Sequence, residues 1–254
     1  HDLAAEEINE AREAIRETVD RYSAFGQGPS PTLLDVTAAT TQFRFADING
    51  PISNANSLLF DARPKANDRQ LVVIINLLDV VEFLRAAGTV QERLAATYRG
   101  LETARGAVED EEVARIRNQA DSMENELRQG RNRFVDLQSN TSEESMHESK
   151  AVSKQDYRRK IAQFAKEFST ATQLQPLLIK FAEGIERIKD ARRLENQENF
   201  NQAGKTGGEA RVIFEDIISE LDSILSEDIA PSFSPITEKL RSLAKDKREI
   251  ALGF

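Results

Sequence analysis

The sequence predicts an all-α protein: an irregular multi-helix bundle with long, coiled-coil-like helices, about eight in number and without a strand. Three observations carry that expectation. Over 109–137, Val113, Ile116, Ala120, Met123, Leu127, Phe134 and Leu137 step mainly by three and four residues, with Gly130 interrupting and charged or amide residues between them. That spacing lays a narrow apolar seam along a helix of about 45 Å, which must close on another helix of this chain or of a second one. The run 71–84 is apolar on more than one face, as in a helix buried centrally in protein. Finally, charged residues at 30% beside hydrophobic ones at 39% suit long helices with much solvated surface.

The first helix follows from Ile8, Ala11, Ile15, Val19, Tyr22 and Phe25 on one face, and the Gly26–Pro29 run stops it. Ser30-Pro31 then opens a second helix through Leu33, Leu34 and Val36. Between Thr37 and Pro64 the pattern loosens, and Asn49-Gly50-Pro51 reads as a turn. Asn67 or Asp68 caps the apolar helix, which ends or bends at Ala86-Ala87-Gly88. A capping box at Thr89–Glu92 starts the next, and the acidic run 109–112 marks a joint before the seam helix.

The stretch 139–150 is polar and serine-rich, the composition of a linker, and divides the chain into halves at 1–138 and 151–254. Tyr157, Ile161, Phe164, Phe168 and Ala171 form a seam that Pro176 should break. A further helix runs through Leu178, Phe181, Ile185 and Ile188, and Gly204–Gly208 reads as a hinge. The apolar face from Val212 to Leu225 makes another helix. Ser234-Pro235 opens the last, through Ile236, Leu240, Leu243 and Ile250.

Composition excludes several chemistries. Without cysteine there is no disulfide, no thiolate catalysis and no zinc–sulfur site. A net charge of −9 speaks against nucleic acid as a partner, and the basic cluster at Lys239–Arg248 is ordinary complement to a helix C-terminus. The longest apolar run, at fourteen residues, is too short to span a bilayer, so no transmembrane segment is expected. The sequence begins at His1 rather than Met and reads as a processed protein or an excised segment.

Several motif fragments fall short of the physical requirements of the motifs they resemble. Ala203-Gly-Lys-Thr206 echoes the tail of a phosphate-binding loop, but Asn199 stands where the loop needs its first glycine and no strand precedes it. Glu144-x-x-His147 matches half of a di-iron helical motif, and a chain with two histidines cannot supply the second copy. The carboxylate pairs Glu215/Asp216 and Glu220/Asp222 read as a solvated face. Phe200, Ala203, Ala210, Phe214 and Ile217 have the rhythm of a helical repeat that does not recur. No catalytic, cofactor-binding or metal-ligating residue is therefore expected. Asn140-Thr-Ser142 is an N-glycosylation acceptor triplet and leans the compartment toward extracytoplasmic or cell surface.

The functional expectation is a non-catalytic interaction or scaffold module that binds a protein partner or itself, with the seam from Val113 to Leu137 as its candidate surface. The alternative is an extracytoplasmic sensor or ligand-binding domain of a membrane-anchored or surface protein.

Overall fold

The structure, a computed structural model, describes residues 2–254, and His1 lies outside them. It is all-α. Seven α-helices follow one another: α1 (Leu3–Ser23), α2 (Ala46–Ala62), α3 (Asp68–Glu109), α4 (Val113–Asn140), α5 (Lys154–Asn196), α6 (Phe200–Ser226) and α7 (Ser234–Leu252). Four short 3-10 segments, Leu33–Asp35, Arg63–Lys65, Glu143–Ser149 and Pro231–Phe233, link them. No strand occurs among the described residues, and none of their helices is long and apolar enough to cross a membrane.

The chain forms two compact units. Unit 1 comprises residues up to Ala95 together with Arg128–Ala165, and unit 2 comprises Ala96–Leu127 with Lys166–Phe254. The division does not follow the stretch 139–150. Each of α3, α4 and α5 is long enough to contribute residues to both units, so the segments 1–138 and 151–254 are each shared between them. The stretch 139–150 is also not an open linker. Met146 and Ser149 are fully buried, the Ser142 N–H donates to Asp79 Oδ2 at 2.9 Å, and the Ser149 hydroxyl accepts from the N–H groups of Ala151 and Val152. Serine caps a tight turn as readily as it solvates a linker, and here it caps.

Several local stop signals are overridden by packing. The α3 helix runs through Ala86–Gly88 for 42 residues. A β-carbon on Gly88 would lie 2.7 Å from the Phe45 ring and 2.8 Å from Ile48 Cδ1, so this glycine permits a close helix–helix approach rather than a stop. The capping-box residues serve other ends: Thr89 Oγ1 donates to Arg85 O within α3, and the Glu92 carboxylate accepts from the Phe45 N–H at the start of α2. Asn49-Gly50-Pro51 lies inside α2, where Arg21 Nη1 approaches Asp47 O at 3.4 Å, the carbonyl that proline leaves without its intrahelical donor.

The α5 helix likewise continues through Pro176. Its neighbours Leu174, Leu177 and Leu178 are fully buried, and that burial offsets the roughly 3 kcal/mol that an interior proline costs. Gly204–Gly208 is not a hinge but the second turn of α6. At Gly207 a β-carbon would meet Phe254 Cβ at 2.7 Å and Ala251 O at 3.1 Å, so the missing side chain admits the end of α7. The expected helix through Leu33, Leu34 and Val36 is a single 3-10 turn, closed by a capping box between Thr32 and Asp35.

The other ends fall where the residues indicate. Asn67 and Gln70 cap α3 reciprocally, each side-chain oxygen accepting from the other's N–H. Ser153 and Asp156 do the same for α5. The α3–α4 joint occupies Asp110–Glu112, and the Glu112 N–H reaches back to Ala107 O at 2.8 Å to close the helix end. Proline opens α7 in its first turn.

Candidate interaction surface

The seam residues are consumed inside the chain. In unit 2, Ile116, Ala120, Met123 and Leu127 are between 0% and 6% exposed, and Met123 Cγ lies against Gly100. In unit 1, Leu137 is fully buried and the half-buried Phe134 stands edge-on to Phe164, with ring centroids 6.2 Å apart. Val113 is half-buried at the start of α4. A seam packed this way has little apolar area left for a second molecule. Asn140 is exposed as the last residue of α4, and the hydroxyl of Thr141 is bound to Leu137 O and Tyr157 Oη.

The motif fragments resolve into ordinary surface pairs. His147 is exposed beside the carbonyl of Glu144, whose carboxylate pairs with Lys154. Glu215 pairs with Arg211, Asp216 and Glu220 with Lys180, and Asp222 with Arg241. Among the described residues no group of three or more potential ligands could hold a metal ion.

Sequence reasoning missed two polar clusters. In unit 1, Lys160 is 1% exposed. Its ammonium lies 2.8 Å from Leu33 O, 2.6 Å from Val36 O, 3.0 Å from Gln91 Oε1 and 3.1 Å from Gln163 Oε1. Four acceptors surround three protons, so one proton is shared. The rings of Phe164 and Tyr22 flank the ammonium at 4.8 Å and 5.3 Å. Tyr22 Oη donates to the same Gln91 oxygen, and Gln91 Nε2 donates to Thr37 O at 2.7 Å. The network ties the loop 33–37, which has too few helical bonds of its own, to α1, α3 and α5. An amine this enclosed is not reached by a solute, so the arrangement is structural rather than nucleophilic. The signal for it lay in register: Lys160 sits three residues after Tyr157 and four before Phe164, on the seam face.

In unit 2, Glu111 occupies the α3–α4 joint at φ 58°, left-handed backbone that costs a non-glycine residue about 1 kcal/mol or more. Its carboxylate accepts from Arg192 on α5 and from Lys247 on α7, the latter at 2.8 Å. Burial pushes the Glu111 carboxyl up, but the hydrogen bonds and charges of Arg192 and Lys247 outweigh it and hold the group below the ordinary carboxylate range. The clasp holds a helix joint against two helix ends. It leaves no open ligand position.

What remains is exposed apolar surface. At one end of unit 1, where α1 begins, α2 ends and α3 begins, Leu3, Phe60, Val72 and Ile75 are 54%, 53%, 58% and 59% exposed. Two contacts hold these ends together: Gln70 Nε2 donates to Asp2 Oδ2 at 2.9 Å, and Lys65 pairs with Glu7. Two arginines stand here. Arg63 follows Phe60 by three residues and Arg69 precedes Val72 by three, and neither has a carboxylate partner among the described residues. In unit 2, Phe200 and Leu252 are also more than half exposed, at the start of α6 and the end of α7. Comparison with protein-family models, curated proteins and solved structures matches the chain to none of them.

Proposed function

We propose that this chain is a non-catalytic helical interaction module, a scaffold whose partner is a protein or a second copy of itself. One observation supports the reading: Leu3, Phe60, Val72 and Ile75 are each more than half exposed and share one end of unit 1. Single exposed apolar residues are ordinary, whereas several together on rigid helix ends favour docking of another surface. The docking surface in this reading is that end rather than the Val113–Leu137 seam.

The test compares the native chain with a Val72→Ser/Ile75→Ser variant in sedimentation over a range of concentrations and in crosslinking to extracts of the source cells. Retention of mass and crosslinked partner by the variant would show that the end of unit 1 is not the binding surface. Loss of either, with unchanged helicity, is the expected result.

A further inference from the structure

Beyond that surface, we infer that unit 1 carries a binding site for a small aliphatic diammonium ion, between the end of α1 and the start of α5. A cavity of about 400 Å³ lies there, within the roughly 300–1,000 Å³ that small-molecule sites occupy. Val19, Leu33 and Ala151 give it an apolar wall, and Asp20, Ser23 and Asp156 give it polar groups. Val19 and Asp20 stand four and three residues before Ser23 in α1, the spacing that puts helix residues on one face.

The polar groups of this cavity are uncommitted. Ser23 is 8% exposed, and its hydroxyl has no hydrogen-bond partner among the described residues. A buried hydroxyl is normally satisfied, so one that lines a cavity is free to meet a ligand. Asp20 has no cationic partner among the described residues, whereas Glu13 and Glu17 on the same helix are taken by Arg16 and Arg21. Asp156 uses Oδ2 on the Ser153 N–H and keeps its other oxygen. No lysine or arginine lines the cavity. Lys160 reaches the Leu33 carbonyl from within the core, where its ammonium is enclosed by oxygens of the chain. That network and the Thr32–Asp35 capping box fix the loop wall before a ligand arrives. The lining charge therefore selects a cation. Two carboxylates do not make a metal cage, and no group of three potential ligands occurs among the described residues. An alkyl diammonium suits better: its N–H donors match carboxylate and hydroxyl oxygens, its methylenes cover the apolar wall, and its two charges match Asp20 and Asp156.

The test is calorimetric titration of the full chain with 1,4-diaminobutane at low salt, where saturable one-to-one binding is expected. Asp20→Asn removes the charge without breaking an ion pair of the folded chain, and should weaken binding about tenfold. Ser23→Ala should weaken it about threefold. Ala151→Leu fills the cavity at unchanged charge and should abolish binding with helicity retained. Absence of saturable binding, or binding indifferent to both Asp20→Asn and Ala151→Leu, overturns the site. Magnesium that displaces the diamine as well as a second diamine does would reduce the effect to diffuse attraction by a chain of net charge −9, and also overturns it. Equal affinity for Nα-acetyl-lysine methylamide, which carries one charge, overturns the diammonium and assigns the cavity to a lysine side chain.

Discussion

Unit 1 encloses a cation and unit 2 a partly exposed anion, and the two are satisfied in different ways. Lys160 is held by oxygens of two backbone carbonyls and two amides. Glu111 is held by two opposite charges, Arg192 and Lys247. The difference follows from what each must organise. The loop 33–37 of unit 1 has free carbonyls and too few helical bonds, so a buried multi-donor gathers them. The α3–α4 joint of unit 2 needs a left-handed residue kept in place, and a carboxylate between two helix ends supplies a clamp that water and salt can still reach.

The largest expected effect comes from Lys160→Met. It leaves Gln91, Gln163 and two carbonyls short of a donor in the core of unit 1, and should cost on the order of 3 kcal/mol in urea unfolding. An unfolding midpoint within error of the native value would mean that the loop is held by apolar packing alone.

Glu111→Gln keeps the shape and removes the charge, with an expected loss of about 1–2 kcal/mol. The clasp should also respond to pH. Because the folded-state pKa of Glu111 lies below its unfolded value, its contribution is present above the ordinary carboxylate range and is lost as pH falls through the folded-state value. Acid titrations of stability for the native chain and Glu111→Gln should converge at low pH, and parallel curves would remove Glu111 from that role. Raising salt should shrink the Glu111→Gln difference and spare that of Lys160→Met, since exposed charges are screened more than enclosed ones.

The smallest effect belongs to Arg117→Met. Its paired contacts with Glu186, both 2.7 Å, are exposed, and the change should cost below about 1 kcal/mol in thermal unfolding. A loss as large as that of Glu111→Gln would erase the distinction drawn between clasp and surface pair.

Legibility in the sequence follows range. The helical class, α1, the acidic joint and the proline-opened α7 were all readable, because apolar period and caps act within a few residues. Pro51, Gly88, Pro176 and Gly204–Gly208 were misleading for the same reason. Each is a local penalty, and each is outweighed by contacts with residues distant in sequence, as Gly88 with Phe45 or Gly207 with Phe254. The clasp was not readable at all, since Glu111 lies 81 residues from Arg192 and 136 from Lys247. Lys160 was half readable: its position on the seam face could be seen, but not the four oxygens that make a charge acceptable there.

By itself, then, the sequence determined that the chain is helical, where α3, α4 and α7 begin, and that thiol and zinc–sulfur chemistry are absent. Only the tertiary structure decided which breaks are real, that the seam is spent internally, and that Phe60, Val72, Arg63 and Arg69 are left exposed. Helix periodicity is a property of neighbours along the chain. Burial and ion pairing depend on which distant residues arrive, and no local pattern records their arrival.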